Sequence, residues 1–196
     1  WVACAIDPEP PTRQVILAVS TAESPTNLVS GWTKHVLEVN RAGLFTDFTT
    51  MGLDDNGLYV RVIHFGGAPL PLTNAGHTIV TIKKPEIYQG ILVTNTFQLN
   101  DGLPVWAIQP VINFDDVPTN GYAWFVAKGP PDLSTNYQGG SIYYRRLQWQ
   151  GTNAVWAETN WIAVSDPPTT YRDYYDLDGT NIVFLPIPGA GVSAPN

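Results

Sequence analysis

An all-β fold is predicted by three features of this chain. Segments dense in β-branched and aromatic residues recur along it, each bounded by Gly, Pro, Asn or Asp, as strands between turns are. No window holds a 3.6-residue apolar period for long, because 17 Pro and 17 Gly are scattered through the 196 residues and interrupt helices. Residues 47–65, D-F-T-T-M-G-L-D-D-N-G-L-Y-V-R-V-I-H-F, hold a strand, a tight turn and a second strand. There Asp55, Asn56 and Gly57 are the residue types that supply positive φ in a two-residue hairpin turn.

The strands are placed in order as follows. Residues 14–20 (Q-V-I-L-A-V-S) are apolar on both faces, as a strand buried on both sides would be. Residues 27–34 are the most helix-tolerant stretch, but Gly31 and the β-rich flanks argue against a helix. Residues 32–39 alternate more clearly, and residues 51–54 and 58–65 form the hairpin just described. A Gly/Pro-rich loop at 66–76 leads to a strand at 77–83, with Ile79 and Ile82 as core residues, and a short outer strand follows at 98–101. Then come a strand at 105–113, a turn at 115–121, a buried strand at 122–128 (Y-A-W-F-V-A-K) and a polar loop at 132–140. Residues 141–150 (S-I-Y-Y-R-R-L-Q-W-Q) and 155–165 are further strands, and 181–185 is a last one before a Pro/Gly-rich end.

Second strands beginning near Val15, Leu58, Tyr122 and Asn181 are about 43, 64 and 59 residues apart, the size of a four-stranded propeller blade. This divides the chain into units at 1–44, 45–103 and 104–165, with the start of another at 166–196. The expected architecture is a propeller-like array of about three four-stranded antiparallel blades, with a β-sandwich or jelly roll as the alternative that the same strand number allows.

The run F-T-D-F-T-T-M-G-L-D-D-N-G-L-Y-V-R-V-I-H-F at 45–65 resembles a motif of large secreted microbial β-propeller proteins of the sialidase-like type, D-[YF]-P-x-[ILM]-G-x-D-x-N-G-[LV]-Y, with Thr49 in place of Pro. Residues 108–128 resemble the opening of the next blade and 141–149 its third strand, so the similarity covers roughly residues 14–165. The resemblance implies blades of a secreted propeller. It does not imply sialidase activity, because the S-x-D-x-G-x-T-W box is absent: in Asp101-Gly102-Leu103-Pro104-Val105-Trp106 the Gly falls one residue early. Nor does any motif bring three of the six arginines to one site.

Composition narrows the partners. Ten Lys and Arg against 17 Asp and Glu give a net charge of -7, which argues against nucleic acid or insertion into an anionic membrane, since both favour basic surfaces. No apolar run reaches transmembrane length. One cysteine, Cys4, rules out an internal disulfide. The chain begins at Trp1 without a charged and apolar leader, as a mature or excised piece would. The expectation is an extracellular or cell-surface module.

Candidate chemistry is sparse. Glycoside hydrolysis needs two carboxylates roughly 5–10 Å apart; Asp47, Asp54, Asp55, Asp115, Asp116 and Glu158 are the candidates, most of them in turns where Asp bonds its own backbone. Asp173, Asp176, Asp178 and Gly179 suggest a structural Ca²⁺ loop, but Tyr174 and Leu185 stand where the first Asp and closing Glu belong. His35, His64 and His77 lack zinc-site spacing. In 141–150, strand parity puts Tyr143, Arg145, Leu147 and Trp149 on one face, as core, and Tyr144, Arg146, Gln148 and Gln150 on the other. That second face suits a sugar ring, a protein loop or a neighbouring blade. The loops at 66–76, 130–140 and 166–179 carry Tyr137, Tyr171, Tyr174 and Tyr175, a paratope-like composition. The function expected is therefore a non-catalytic binding or scaffolding module for a protein or glycan surface. A glycan-active enzyme fragment and a self-associating surface protein are the alternatives.

Overall fold

The computed structural model describes residues 1–7, 14–27, 29–66, 73–99, 106–118, 121–128 and 140–164. Among them are eleven strands and one helical turn. Strands β1 (Val2–Ile6), β2 (Val15–Ser20) and β3 (Trp32–Leu37) form a first sheet; β4 (Phe45–Leu53), β5 (Gly57–Gly66), β6 (Thr73–Lys83) and β7 (Thr94–Leu99) a second; β8 (Trp106–Pro110), β9 (Tyr122–Lys128), β10 (Gly140–Gln150) and β11 (Asn153–Val164) a third. Every sheet is an antiparallel meander in chain order, the topology that short connections favour. The all-β class is as expected. The described residues make three sheets, and the first has three described strands where four were expected.

The middle sheet separates two cores. Leu58, Val60, Val62, Val80 and Ile82 from β5 and β6 meet Val15, Leu17, Val19 and Leu37 of the first sheet. The opposite face, with Tyr59 and Ile79, meets Ile108, Phe125, Leu147 and Trp149 of the third. This is why both faces of β5 are buried over most of its length. Each such side chain contributes roughly 1.5–3 kcal/mol by leaving water.

The terminal sheets are buried on one side. In β2 the residues Val15, Leu17 and Val19 are buried, but Ile16 is 39% exposed, and its neighbour on β3, Val36, is 48% exposed. The expectation that 14–20 is buried on both faces is therefore corrected: among the described residues, only the middle sheet has a layer on either side. The same holds for β9, where Ala123, Phe125 and Ala127 are buried and Trp124 is exposed.

The first strands of the sheets lie together at one edge of the stack. Leu53 of β4 bridges Ile112, just beyond β8, in a parallel sense, and the Asn113 N–H donates to the Leu53 carbonyl at 2.8 Å. A Cβ at Gly52 would sit 2.6 Å from the Val111 carbonyl oxygen, so glycine is required by this close approach.

Other boundaries shift in ways tertiary contacts explain. β1 was not expected, although Val2, Cys4 and Ile6 alternate inward. β6 starts at Thr73, four residues before the expected 77, and passes a register shift where Gly76 takes φ 114. β7 runs Thr94–Leu99, beginning four residues before the expected 98, and the expected end at 100–101 lies outside the described residues. A helical turn, α1 (Lys84–Ile87), carries Pro85 at its start, just after Lys84, and buries Ile87 in the first core. At 27–34 the helix-tolerant stretch is not helical: the Asn27 carboxamide oxygen accepts from the N–H groups of Val29 and Ser30, and β3 follows.

A histidine is buried in the middle sheet. The Nδ1 of His64 is 3.0 Å from the Thr46 hydroxyl and its Nε2 2.7 Å from the Thr78 hydroxyl, so both ring nitrogens are satisfied by neutral partners. Burial, with Arg41 and His77 nearby, lowers its pKa to about 4. Because the folded value lies below the unfolded value near 6.5, the stabilisation is complete above about pH 6.5 and is lost as pH falls towards 4. The expected loss over that window is on the order of 3 kcal/mol. The check is urea unfolding at several pH values of the natural chain and of His64→Gln: the difference between their pH profiles should span that window and be flat above it.

Candidate functional site

The turn between β4 and β5 is densely hydrogen-bonded. The buried Asp54 carboxylate accepts from the N–H groups of Asn56 (2.7 Å) and Gly57 (2.8 Å) and from the Tyr59 hydroxyl, 3.0 Å from each oxygen. The Tyr59 hydroxyl in turn accepts from the indole N–H of Trp149, on β10 of the third sheet, at 3.1 Å. Burial first, and the Asp54 charge second, push the Tyr59 pKa up, so the phenol stays protonated and remains a donor. Asp55 accepts from the Val117 N–H, and the Asn56 carboxamide donates to the Pro118 carbonyl. Lys84 donates to the Asp54 carbonyl and lies 3.9 Å from the Asp55 carboxylate.

This turn corrects the expectation drawn from Asp55-Asn56-Gly57. None of the three has positive φ. Asp54 shapes the turn by capping its N–H groups, as Asx turns do. Gly57 is there for space: a Cβ would lie 2.6 Å from the Tyr59 hydroxyl and 2.9 Å from Trp149 Nε1. Asp54 and Asp55 are thus committed to structure, and Asp47 likewise accepts from the Phe48 N–H at 2.7 Å. Asp115 lies in the segment after β8, where its N–H donates to the Asn113 side chain.

The outer face of the third sheet carries a different group. In register, Arg146 of β10 stands opposite Trp124 of β9, Gln148 opposite Tyr122 and Tyr144 opposite Val126. The Arg146 guanidinium carbon lies 4.2 Å from the Tyr122 ring centroid and 5.4 Å from that of Trp124. The Trp124 and Tyr144 rings are 5.5 Å apart, tilted by 50°. Trp124 is 39% exposed, and Ile142 and Val155 are exposed on the same sheet. The parity expected for this strand is what the structure has: Tyr143, Leu147 and Trp149 are buried in the second core, where Arg145 stacks on Trp156 at 4.1 Å.

A planar cation resting on aromatic rings, with one ring open to water, is suited to stacking and hydrogen bonding at once. Of the residues singled out in the sequence, Tyr144 and Arg146 are brought together here. Tyr122 and Trp124 complete the surface, and the signal for them was parity in Y-A-W-F-V-A-K, where they alternate with Ala123 and Phe125. Tyr137, Tyr171, Tyr174 and Tyr175, and the suggested Ca²⁺ residues Asp173, Asp176 and Asp178, lie outside the described residues. His64 and His77 are buried in the middle sheet. Cys4 is half-buried against the first core, which pushes its thiol pKa up and leaves it a poor nucleophile.

Tyr59→Phe should destabilise the fold by about 1–3 kcal/mol, because it strands the Trp149 N–H and removes a donor from a buried carboxylate. In a double-mutant cycle with Trp149→Phe, denaturant unfolding should show the two losses to be clearly non-additive. Gly57→Ala should cost a similar amount by overpacking the same pair. No protein-family model, curated protein or solved structure matches this chain, so its function is read from its own geometry.

Proposed function

We propose that this chain is a non-catalytic, extracellular binding or scaffolding module made of consecutive propeller-like blades. Recognition takes place on the outer face of the third sheet. The observation that carries this reading is the Tyr122–Trp124–Tyr144–Arg146 surface, where a guanidinium is braced on two rings and Trp124 is open to water. Support for a blade arrangement comes from the face-to-face meanders and from the parallel contact beside β4 and β8 at one edge. Support for a non-catalytic role comes from the turn carboxylates Asp54 and Asp55, which are occupied by hydrogen bonds.

The ligand class favoured is a glycan. Sugar rings present C–H faces to aromatic rings and hydroxyls to a guanidinium, and bonds to charged groups exceed neutral ones in strength. The Tyr-rich stretches at 130–140 and 166–179 follow β9 and β11 in the chain, and their composition suits the same kind of ligand.

Tryptophan-fluorescence titration with a panel of oligosaccharides tests this. Binding should quench emission, and Trp124→Ala or Arg146→Ala should weaken it at least tenfold while leaving the unfolding midpoint nearly unchanged. Saturable binding that survives both substitutions would place recognition elsewhere.

A second reading, self-association, is favoured by one observation: both terminal sheets expose apolar side chains, Ile16 and Val36 on one and Trp124, Ile142 and Val155 on the other. Copies stacked through these faces would continue the array. Light scattering separates the readings. A monomer across the micromolar range supports the binding module, and a discrete oligomer or filament supports assembly.

A further inference from the structure

Arg61 occupies an unusual position for a cation. It lies in the middle of β5, directly opposite Thr50 on β4 and Ile79 on β6, and is 1% exposed. Residues opposite one another in a ladder share a face, so Arg61 shares with Ile79 and Tyr59 the face that meets the third sheet. Its Nη1 donates to the Phe48 carbonyl at 3.1 Å. Its Nε and Nη2 have no hydrogen-bond partner among the described residues, and the same is true of the hydroxyls of Thr49 and Thr50. Burial lowers its pKa to about 10, so the group is still charged at neutral pH.

A buried charge without a counter-charge is strongly unfavourable. The unpaired atoms say what would relieve it. Nε and Nη2 carry the two N–H bonds along one edge of the guanidinium, the edge that a carboxylate meets with two parallel hydrogen bonds. The third nitrogen is already held by Phe48, which fixes the plane of the fork. Thr50, on the same face, offers a hydroxyl that can donate to the same anion.

β4 is the first strand of its sheet, and its register shifts between Asp47 and Thr50. In that bulge Phe48 takes φ 52 and is 61% exposed. The carbonyl that holds Arg61 therefore belongs to a residue whose ring is at the surface.

We propose that Arg61, with the Thr50 hydroxyl, forms a binding site for a single carboxylate inside the stack, entered beside the bulge at Phe48. One guanidinium takes the anion in a two-bond fork, unlike the three converging arginines of a sialidase. The carboxylate comes either from a small free acid or from an acidic sugar, and the test separates these.

The experiment is thermal unfolding of the full chain in acetate, in D-glucuronate and in chloride at matched ionic strength. The natural chain should show a rise in midpoint that saturates with acetate and is absent with chloride. Arg61→Met should abolish the difference between acetate and chloride. Arg61→Lys keeps the charge but loses the fork, and should need at least tenfold more acetate. Thr50→Val should weaken the response several-fold; these last two variants carry the test if Arg61→Met does not fold. A response to glucuronate as well as acetate identifies an acidic sugar as an admissible ligand, and a response to acetate alone restricts the site to small acids. Coincident acetate and chloride curves for the natural chain, or an undiminished acetate response in Arg61→Met, would overturn the proposal and leave the guanidinium to buried water.

Discussion

The chain of hydrogen bonds from Trp149 through Tyr59 to Asp54 is the constraint on which the second and third sheets depend. Two sheets packed only by apolar side chains can slide, since the hydrophobic effect has no direction. An indole N–H that must find one hydroxyl, and a hydroxyl that must find one carboxylate, admit a single register. The carboxylate belongs to the turn that closes the β4–β5 hairpin. Hairpin geometry and sheet stacking are thus settled by the same atoms. Asp55 and Asn56 extend the effect by holding the segment around Val117 and Pro118 that leads into β9.

The middle sheet bears the cost of being covered on both sides. Its second strand is apolar on both faces, yet it also buries His64 and Arg61. His64 is accommodated as a neutral ring between two hydroxyls. Arg61 has one carbonyl for its five N–H groups among the described residues. Polar groups at such depth are kept by proteins when satisfied or when used, and the contrast between these two residues is what separates a structural position from a candidate site. The terminal sheets face the opposite situation. Each has a buried side and an exposed side, and the exposed side of the third sheet holds the planar aromatic and guanidinium groups suited to contact with another molecule.

Much of this was legible in the order of residues. The all-β class followed from β-branched and aromatic runs broken by Gly and Pro. The two faces of β10 followed from parity alone, which placed Leu147 and Trp149 inward and Tyr144 and Arg146 together on the other side. The partnership of Tyr144 and Arg146 with Trp124 was less legible, because it depends on the β9–β10 register, and register is set by cross-strand packing. The turn at 54–57 was misread for a related reason. D-N-G is the residue pattern of a positive-φ turn, but a glycine selected for closeness to Tyr59 and Trp149 looks the same in sequence as one selected for its φ.

What the sequence determined by itself was local: where strands lie and which residues alternate. Those properties depend on neighbours within a few positions, so they are written in the run of residues. What only the tertiary structure decided was which faces are covered. Residues 14–20 and 58–65 are similarly apolar, yet β2 leaves Ile16 in water while β5 is buried on both sides, because β5 has a sheet on each side and β2 has one. The bond from Trp149 to Tyr59 and the isolation of the Arg61 fork are of the same kind. They join residues far apart in the chain, and come into being only when the sheets stack.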